Sequence, residues 1–200
     1  MKIKSSTLAM LAIATLTAGV VYFWDSNQTQ QTKTAEEKKS GTALFQFKEA
    51  DIAQLNIRTN EQTVELARTD NGWQIKAPKP GPADDATVSF LLNLLVTGKS
   101  ERSLEASPSD LKTFGLEPPS ATLDIQLKNQ TAHQLLLGGQ NFNQSARYAR
   151  IDPVATKPGQ KPTVMLVPNN FLDALNRPLS DWQAKPKSTQ TPSISPSPQN

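Results

Sequence analysis

Apolar positions change period once between Gly72 and Gly98, in the stretch GWQIKAPKPGPADDATVSFLLNLLVTG. Trp73 and Ile75 alternate with Gln74 and Lys76, the period-two pattern of a half-buried strand. Pro78, Pro80 and Pro82 then end the strand, because proline lacks the N–H a ladder needs and cannot sit inside a helix. Beyond them Val88, Leu91, Leu92 and Leu95 recur at i, i+3, i+4 and i+7, while Phe90 and Leu94 widen the apolar arc. The spacing predicts a largely buried helix, capped by Asp84 or Asp85, whose carboxylate would take orphan N–H groups of the first turn. Gly98 is read as its C′ stop.

The same two periods organise the rest of the chain. Phe45 and Phe47 alternate into the domain, and Ile52, Leu55 and Ile57 turn near Asn60-Glu61 and return through Val64 and Leu66, which predicts a hairpin. Asp70-Asn71-Gly72 is a second turn, leading to the Trp73 strand. Ser103 to Ala106 reads as an edge strand. A short helix follows, with Ser107 as N-cap, Pro108 at N1, Asp110 at N3 in a capping box, and Gly115 ending it. Pro118-Pro119 implies extension. Leu123, Ile125 and Leu127 alternate against Asp124, Gln126 and Lys128, turn at Asn129-Gln130, and return through Leu135 and Leu137 to a turn at Gly138-Gly139. Tyr148–Ile151 and Val164–Val167 read as two more strands, and Phe171, Leu172 and Leu175 as a last helix before Arg177-Pro178.

Aligned on their hairpins, Leu55–Leu66 and Leu123–Leu135 each lead to a strand carrying Trp73 or Tyr148 and then to a helix. The order strand, strand, strand, helix occurs twice, with one strand added before the second helix; chance likeness of two amphipathic hairpins is the competing reading. The predicted class is α+β: a largely antiparallel sheet with two main helices on one face, preceded by a transmembrane helix. The divisions are 1–24 (cytoplasmic start and anchor), 25–42 (a linker rich in Gln, Thr, Lys and Glu), 43–183 (the globular domain) and 184–200 (a Pro, Ser and Thr-rich disordered tail).

The anchor is residues 7–24, TLAMLAIATLTAGVVYFW, which carry no charge and as a helix at ~1.5 Å per residue reach about 27 Å, near a bilayer's apolar thickness. Lys2 and Lys4 before it place the N-terminus in the cytoplasm and the domain outside, with Tyr22, Phe23 and Trp24 at the outer interface. The location expected is a bacterial plasma membrane, or a thylakoid membrane, with a periplasmic domain. A cleaved signal peptide ending at Ala18 is the alternative. It is disfavoured by Leu16 at −3 and by the apolar run that continues past the site.

Charge narrows the partners. The net charge of +3 fades to near balance beyond Trp24, where 19 basic residues face 18 acidic ones, so the basic stripe that nucleic acid requires is absent. With no cysteine, disulfides, thiol nucleophiles and thiolate metal sites are excluded.

Individual residues carry little chemistry. Ser109 and Lys112 match S-x-x-K, the spacing in which a lysine one turn on activates a serine, but the companion motifs are missing and a helix start accounts for the serine. Gly138-Gly139 lacks the Lys-Ser/Thr of a phosphate loop. His133 is the only histidine and is expected to face solvent. Asp84 and Asp85 diverge as neighbours on a helix, and carboxylate spacing fits no calcium loop. Asn27, Asn129 and Asn143 begin N-x-S/T triplets. Arg147, Arg150 and Arg177 with Asp152 and Asp181 are expected to form solvated surface salt bridges. No catalytic, cofactor or metal residue is therefore assigned.

The run GWQIKAPKPGPAD, an apolar helix, DLKTFGLEPP, LLLGGQNFN, RYARID and the closing NRPLSDW together resemble the domain of unknown function 4340 family, in its short membrane-anchored cyanobacterial form, over roughly Phe45 to Trp182. The resemblance implies an accessory role outside the membrane beside ABC-type export or gliding machinery, and brings no catalytic residue with it. The function expected is a non-enzymatic envelope domain that binds another protein. A module for a cell-wall or small polar ligand is the second reading and needs an aromatic-lined pocket near Trp73, Tyr148 or Trp182. A hydrolase using Ser109 is the third.

Overall fold

The computed structural model describes residues 41–153 and 160–185, which apart from residues 41–42 fall in one unit beginning at Ala43. The anchor segment 7–24, the linker up to residue 40, Asn27 and the tail from residue 186 lie outside the described residues. No helix among those described is long and apolar enough to cross a membrane.

Period-two alternation builds most of the domain. Its strands are β1 (Thr42–Ala43), β2 (Ile52–Thr59), β3 (Thr63–Thr69), β4 (Gly72–Ala77), β5 (Gly81–Pro82), β6 (Lys99–Ser100), β7 (Arg102–Glu105), β8 (Ala121–Leu127), β9 (Ala132–Gln140), β10 (Ala146–Ile151) and β11 (Thr163–Pro168). The helices are α1 (Asp85–Thr97), α2 (Pro108–Thr113), α3 (Asn170–Leu175) and α4 (Leu179–Trp182), with one 3-10 turn at Glu49–Asp51. Nine strands form one sheet in the order β5-β4-β3-β2-β8-β9-β10-β11-β7, and every pairing in it is antiparallel. The class is thus α+β. β1 and β6 make a separate two-residue ladder.

The two central hairpins share one register. Leu55, Asn56 and Ile57 face Leu66, Glu65 and Val64, just as Leu123, Asp124 and Ile125 face Leu135, Gln134 and His133. Where the hairpins meet, Leu55 faces Ile125, Asn56 faces Asp124 and Ile57 faces Leu123, so a local two-fold axis passes through the Asn56–Asp124 pair. The likeness stops at the third strand. Trp73 sits in the main core, whereas Tyr148 turns to the opposite face and stacks on Phe114 at 4.2 Å, so the two aromatics are not equivalents.

One face of the sheet makes the main core. Leu55, Ile57, Val64, Leu66, Ile75, Leu123, Ile125, Leu135 and Leu137 point into it and meet Val88, Leu91, Leu92 and Leu95 of α1, Phe171 and Leu175 of α3, and Trp182 of α4. Asp84 is the N-cap, with Oδ1 accepting the Thr87 N–H at 2.8 Å. The closing NRPLSDW segment clamps the start of α1. The Asp84 N–H donates to the Trp182 carbonyl (2.7 Å), the Ala184 N–H to the Pro82 carbonyl (3.0 Å) and the Thr87 hydroxyl to the Asp181 carbonyl (2.9 Å). A second cluster lies on the opposite face, where Leu111 of α2, Ala106 and Leu116 cover Val164 with Leu104, Leu136 and Tyr148 beside it.

Several local expectations are corrected. Phe45 and Phe47 belong to no strand; their rings stack at 5.0 Å. Gly98 ends α1 with φ −60°, not in a left-handed C′ conformation, and is required for space: an added Cβ would lie 2.5 Å from the Leu94 carbonyl oxygen and 2.7 Å from the Phe171 ring. Gly138-Gly139 is no turn but part of β9, where the Gly139 N–H donates to the Phe114 carbonyl at 2.8 Å and a Cβ on Gly138 would come within 2.3 Å of that oxygen. Pro118-Pro119 lies in a turn closed by a Leu116–Pro119 bridge rather than in an extended run. Ala184, placed at the head of the tail, is held by its bond to Pro82.

Candidate functional site: a polar half-face of the sheet

The alternation that buries Leu55 and Ile57 turns Gln54, Asn56 and Arg58 outward, and that of β8 turns out Thr122, Asp124 and Gln126. Over β9 to β11 this outer face is covered by α2 and the loop after it, and Thr122 of β8 is buried as well, whereas Gln54, Asn56, Glu65, Asp124 and Gln126 on β2, β3 and β8 are exposed or half-buried. Cross-strand pairing there sets Glu65, Asn56, Asp124 and Gln134 in one row over four strands. The Asp124 carboxylate is its centre. Oδ1 accepts from Gln134 Nε2 (2.6 Å), and Oδ2 takes Arg58 Nη1 (2.6 Å) and a long contact from Asn56 Nδ2 (3.5 Å). The Arg58–Asp124 pair is partly exposed, so it contributes ~0–1 kcal/mol and chiefly sets orientation. Asn56 Oδ1 is buried without a partner among the described residues. Beside the row lies a shallow depression of about 320 Å³, bounded by Gln54, Asn56, Glu65, Lys76, Asp124 and Gln126.

Such a surface presents amides and one oriented ion pair as its polar groups. Both Asp124 carboxylate oxygens are already engaged by Gln134, Arg58 and Asn56. Sequence reading passed over Asn56, Arg58, Asp124 and Gln134 because each is an unremarkable outward residue. The available signal was that Asn56 and Asp124 occupy the same place in the two matched hairpins.

The residues singled out from the sequence do not converge. Ser109 lies on α2, its hydroxyl 2.7 Å from that of Ser107, which with Asp110 forms the capping box. The Asp110 carboxyl is held below its ordinary range first by the Ser107 side chain and then by its N–H. That of Asp84 is held down first by the Thr87 N–H and then by the Thr87 side chain; Asp85 is exposed one residue on. His133 does not face solvent freely. It packs against Phe45 and Phe47 at 5.7 and 5.3 Å between ring centroids, and its Nδ1 meets Asp152 Oδ2 at 2.7 Å. Asp152, with φ 44°, also accepts the Gln134 N–H at 2.7 Å and so ties the end of β10 to β9.

The expected Arg and Asp cluster is dispersed. Arg147 donates to the Gly138 carbonyl (2.8 Å), and burial lowers its pKa while Asp173 opposes that shift. Arg177 lies over the Phe90 ring at 5.4 Å, and its carbonyl accepts from Trp182 Nε1 and Gln62 Nε2. Among the described residues the only Arg or Lys paired with a carboxylate is Arg58, with Asp124, while His133 Nδ1 and Asp152 Oδ2 share a hydrogen bond. Asn129 and Asn143 accept the N–H groups of Thr131 and Ser145 in their own turns. Trp73 and Trp182 are core residues, Trp73 lying beneath Arg68 at 4.9 Å, whereas Tyr148 packs in the cluster on the opposite face.

Fold and site together define a class: a single-sheet α+β domain with one half-face bare and polar. The chain belongs to the family described as domain of unknown function (DUF4340), which matches residues 73–187, from β4 past the last helix. No curated protein and no solved structure matches it.

Proposed function

We propose that this chain is a membrane-anchored, extracytoplasmic domain that binds a protein partner in the bacterial envelope and acts without catalysis, as an accessory of an ABC-type export system. The observation that carries the reading is the bare polar half-face centred on Asp124, while the other half of the same face is closed by α2. The apolar, charge-free segment 7–24 supports anchoring and the lysines before it support the orientation. The export association is what the family resemblance implies. The matched hairpin registers support a duplicated strand-strand unit, with α1 and α3 packed on the same face of the sheet. A small polar ligand is the second reading, favoured by the depression beside Asn56 and Asp124.

Affinity purification of the full-length chain from membranes in mild detergent, with Gln54→Arg and Gln126→Arg beside it, tests the proposal. A protein that co-purifies with the native chain and is lost from both variants is the expected result. A glycan that binds the chain while no protein co-purifies would establish the second reading instead.

A further inference from the structure

Phe142, at the tip of the β9–β10 hairpin, is fully exposed at 103% of its reference surface and touches nothing the fold needs. The tip around it is held firmly. The Asn141 N–H donates to the Ala146 carbonyl (2.8 Å) and Asn141 Oδ1 accepts the Ala146 N–H (3.1 Å); the Gln144 N–H donates to the Asn141 carbonyl (3.0 Å). Asn143 Oδ1 accepts both the N–H (3.2 Å) and the hydroxyl (2.7 Å) of Ser145, and Asn169 Nδ2 reaches across from the start of α3 to the Gln144 carbonyl at 2.8 Å. Asn, Gln and Ser do all of this turn chemistry, so the phenyl ring is dispensable to it. From Gly138 to Ala146 there is also no charged residue, in a chain that is 20% charged.

We propose that Phe142 is the anchor by which the domain docks into an apolar pocket of its protein partner, an inference that rests on the binding role proposed above. A rigid aromatic on a preorganised tip loses little conformational freedom on binding, and aromatic anchors surrounded by uncharged contacts are what interface centres contain. The flanking amides of Gln140, Asn143 and Gln144 would meet hydrogen-bonding groups at the pocket's rim, and their neutrality matches an uncharged patch. A membrane surface fits less well. One ring with no lysine or arginine beside it lacks the electrostatic half of interfacial binding.

The test places a photo-crosslinking residue at Gln140, exposed beside the tip, in the full-length chain in its native membrane, and a second at Gln54 on the polar half-face. A discrete adduct with a different protein is expected from Gln140. That protein, purified, should bind the chain about thirty-fold more weakly after Phe142→Ala and within a few-fold of native after Phe142→Leu. All three forms should melt at the same temperature, because the ring packs on nothing. Unchanged affinity of Phe142→Ala, an adduct with a second copy of this chain, or equal binding of the tip to anionic phospholipid vesicles would each overturn the proposal. An adduct from Gln54 with none from Gln140 would remove the tip and leave the binding role standing, whereas no adduct from either position would remove both.

Discussion

Single atoms decide which glycines are replaceable. Gly138→Ala would drive a Cβ to 2.3 Å from the Phe114 carbonyl oxygen, so it should destabilise a soluble fragment beginning near Thr42 by ~1–3 kcal/mol in urea melts. Gly81 has nothing within 4 Å of its added Cβ, and Gly81→Ala should be neutral or stabilising by up to ~1 kcal/mol. The two capping carboxylates set an acid limit. Asp84 and Asp110 titrate below their ordinary 3.8 when folded, so their contribution is complete above about pH 4 and is lost as pH falls through the lowered folded values. Stability followed by urea melts from about pH 7 to about pH 2.5 should therefore fall at the acid end, and the double variant Asp84→Asn, Asp110→Asn should flatten that fall. Asparagine caps as well as aspartate but does not titrate. At this scale the caps at Asp84 and Ser107 were legible in the sequence, because a cap is a contact between residues three apart. The demand for glycine at position 138 was not, since the atom it avoids belongs to Phe114.

Helix α1 and the closing segment behave as one element. Leu91 and Leu95 are wholly buried, and truncating either to Ala should cost ~2–5 kcal/mol out of the ~5–15 a domain of this size holds. Trp182 is equally buried beside them, and Trp182→Ala should cost ~3–5 kcal/mol. Ser109→Ala, by contrast, should cost ~0.5 kcal/mol or less, since Ser107 makes the cap. Urea midpoints of the four variants check the ranking; unchanged midpoints in both leucine variants would take α1 out of the core. The apolar arc of α1 predicted its burial correctly because a helix so apolar must hide most of its surface. The role of NRPLSDW as a clamp was invisible, since Thr87 and Asp181 meet across most of the domain's sequence.

For the whole molecule the predictions concern topology. A reporter fused after Asn200 is expected to be extracytoplasmic. The full-length chain should also stay with the membrane through high salt and carbonate, and its N-terminus should still contain Lys2. Cytoplasmic reporter activity would reverse the orientation, and a mature chain starting near Gly19 would replace the anchor with a cleaved signal.

Within the described residues, the sequence alone determined what depends on near neighbours: the alternation of β2, β3, β4 and β8, the burial of α1, the capping box of α2 and the turns at Asn60 and Asn129. Each rests on spacings of two to four residues, the range over which backbone geometry repeats. Tertiary structure alone decided that β2 lies beside β8, so that Asn56, Arg58, Asp124 and Gln134 meet, and that α2 closes one half of the outer face and leaves the other bare. His133 found Phe45 and Asp152 in the same way. Outward residues of a strand are under little local constraint, so their chemistry exists only once the sheet has set which strands are neighbours.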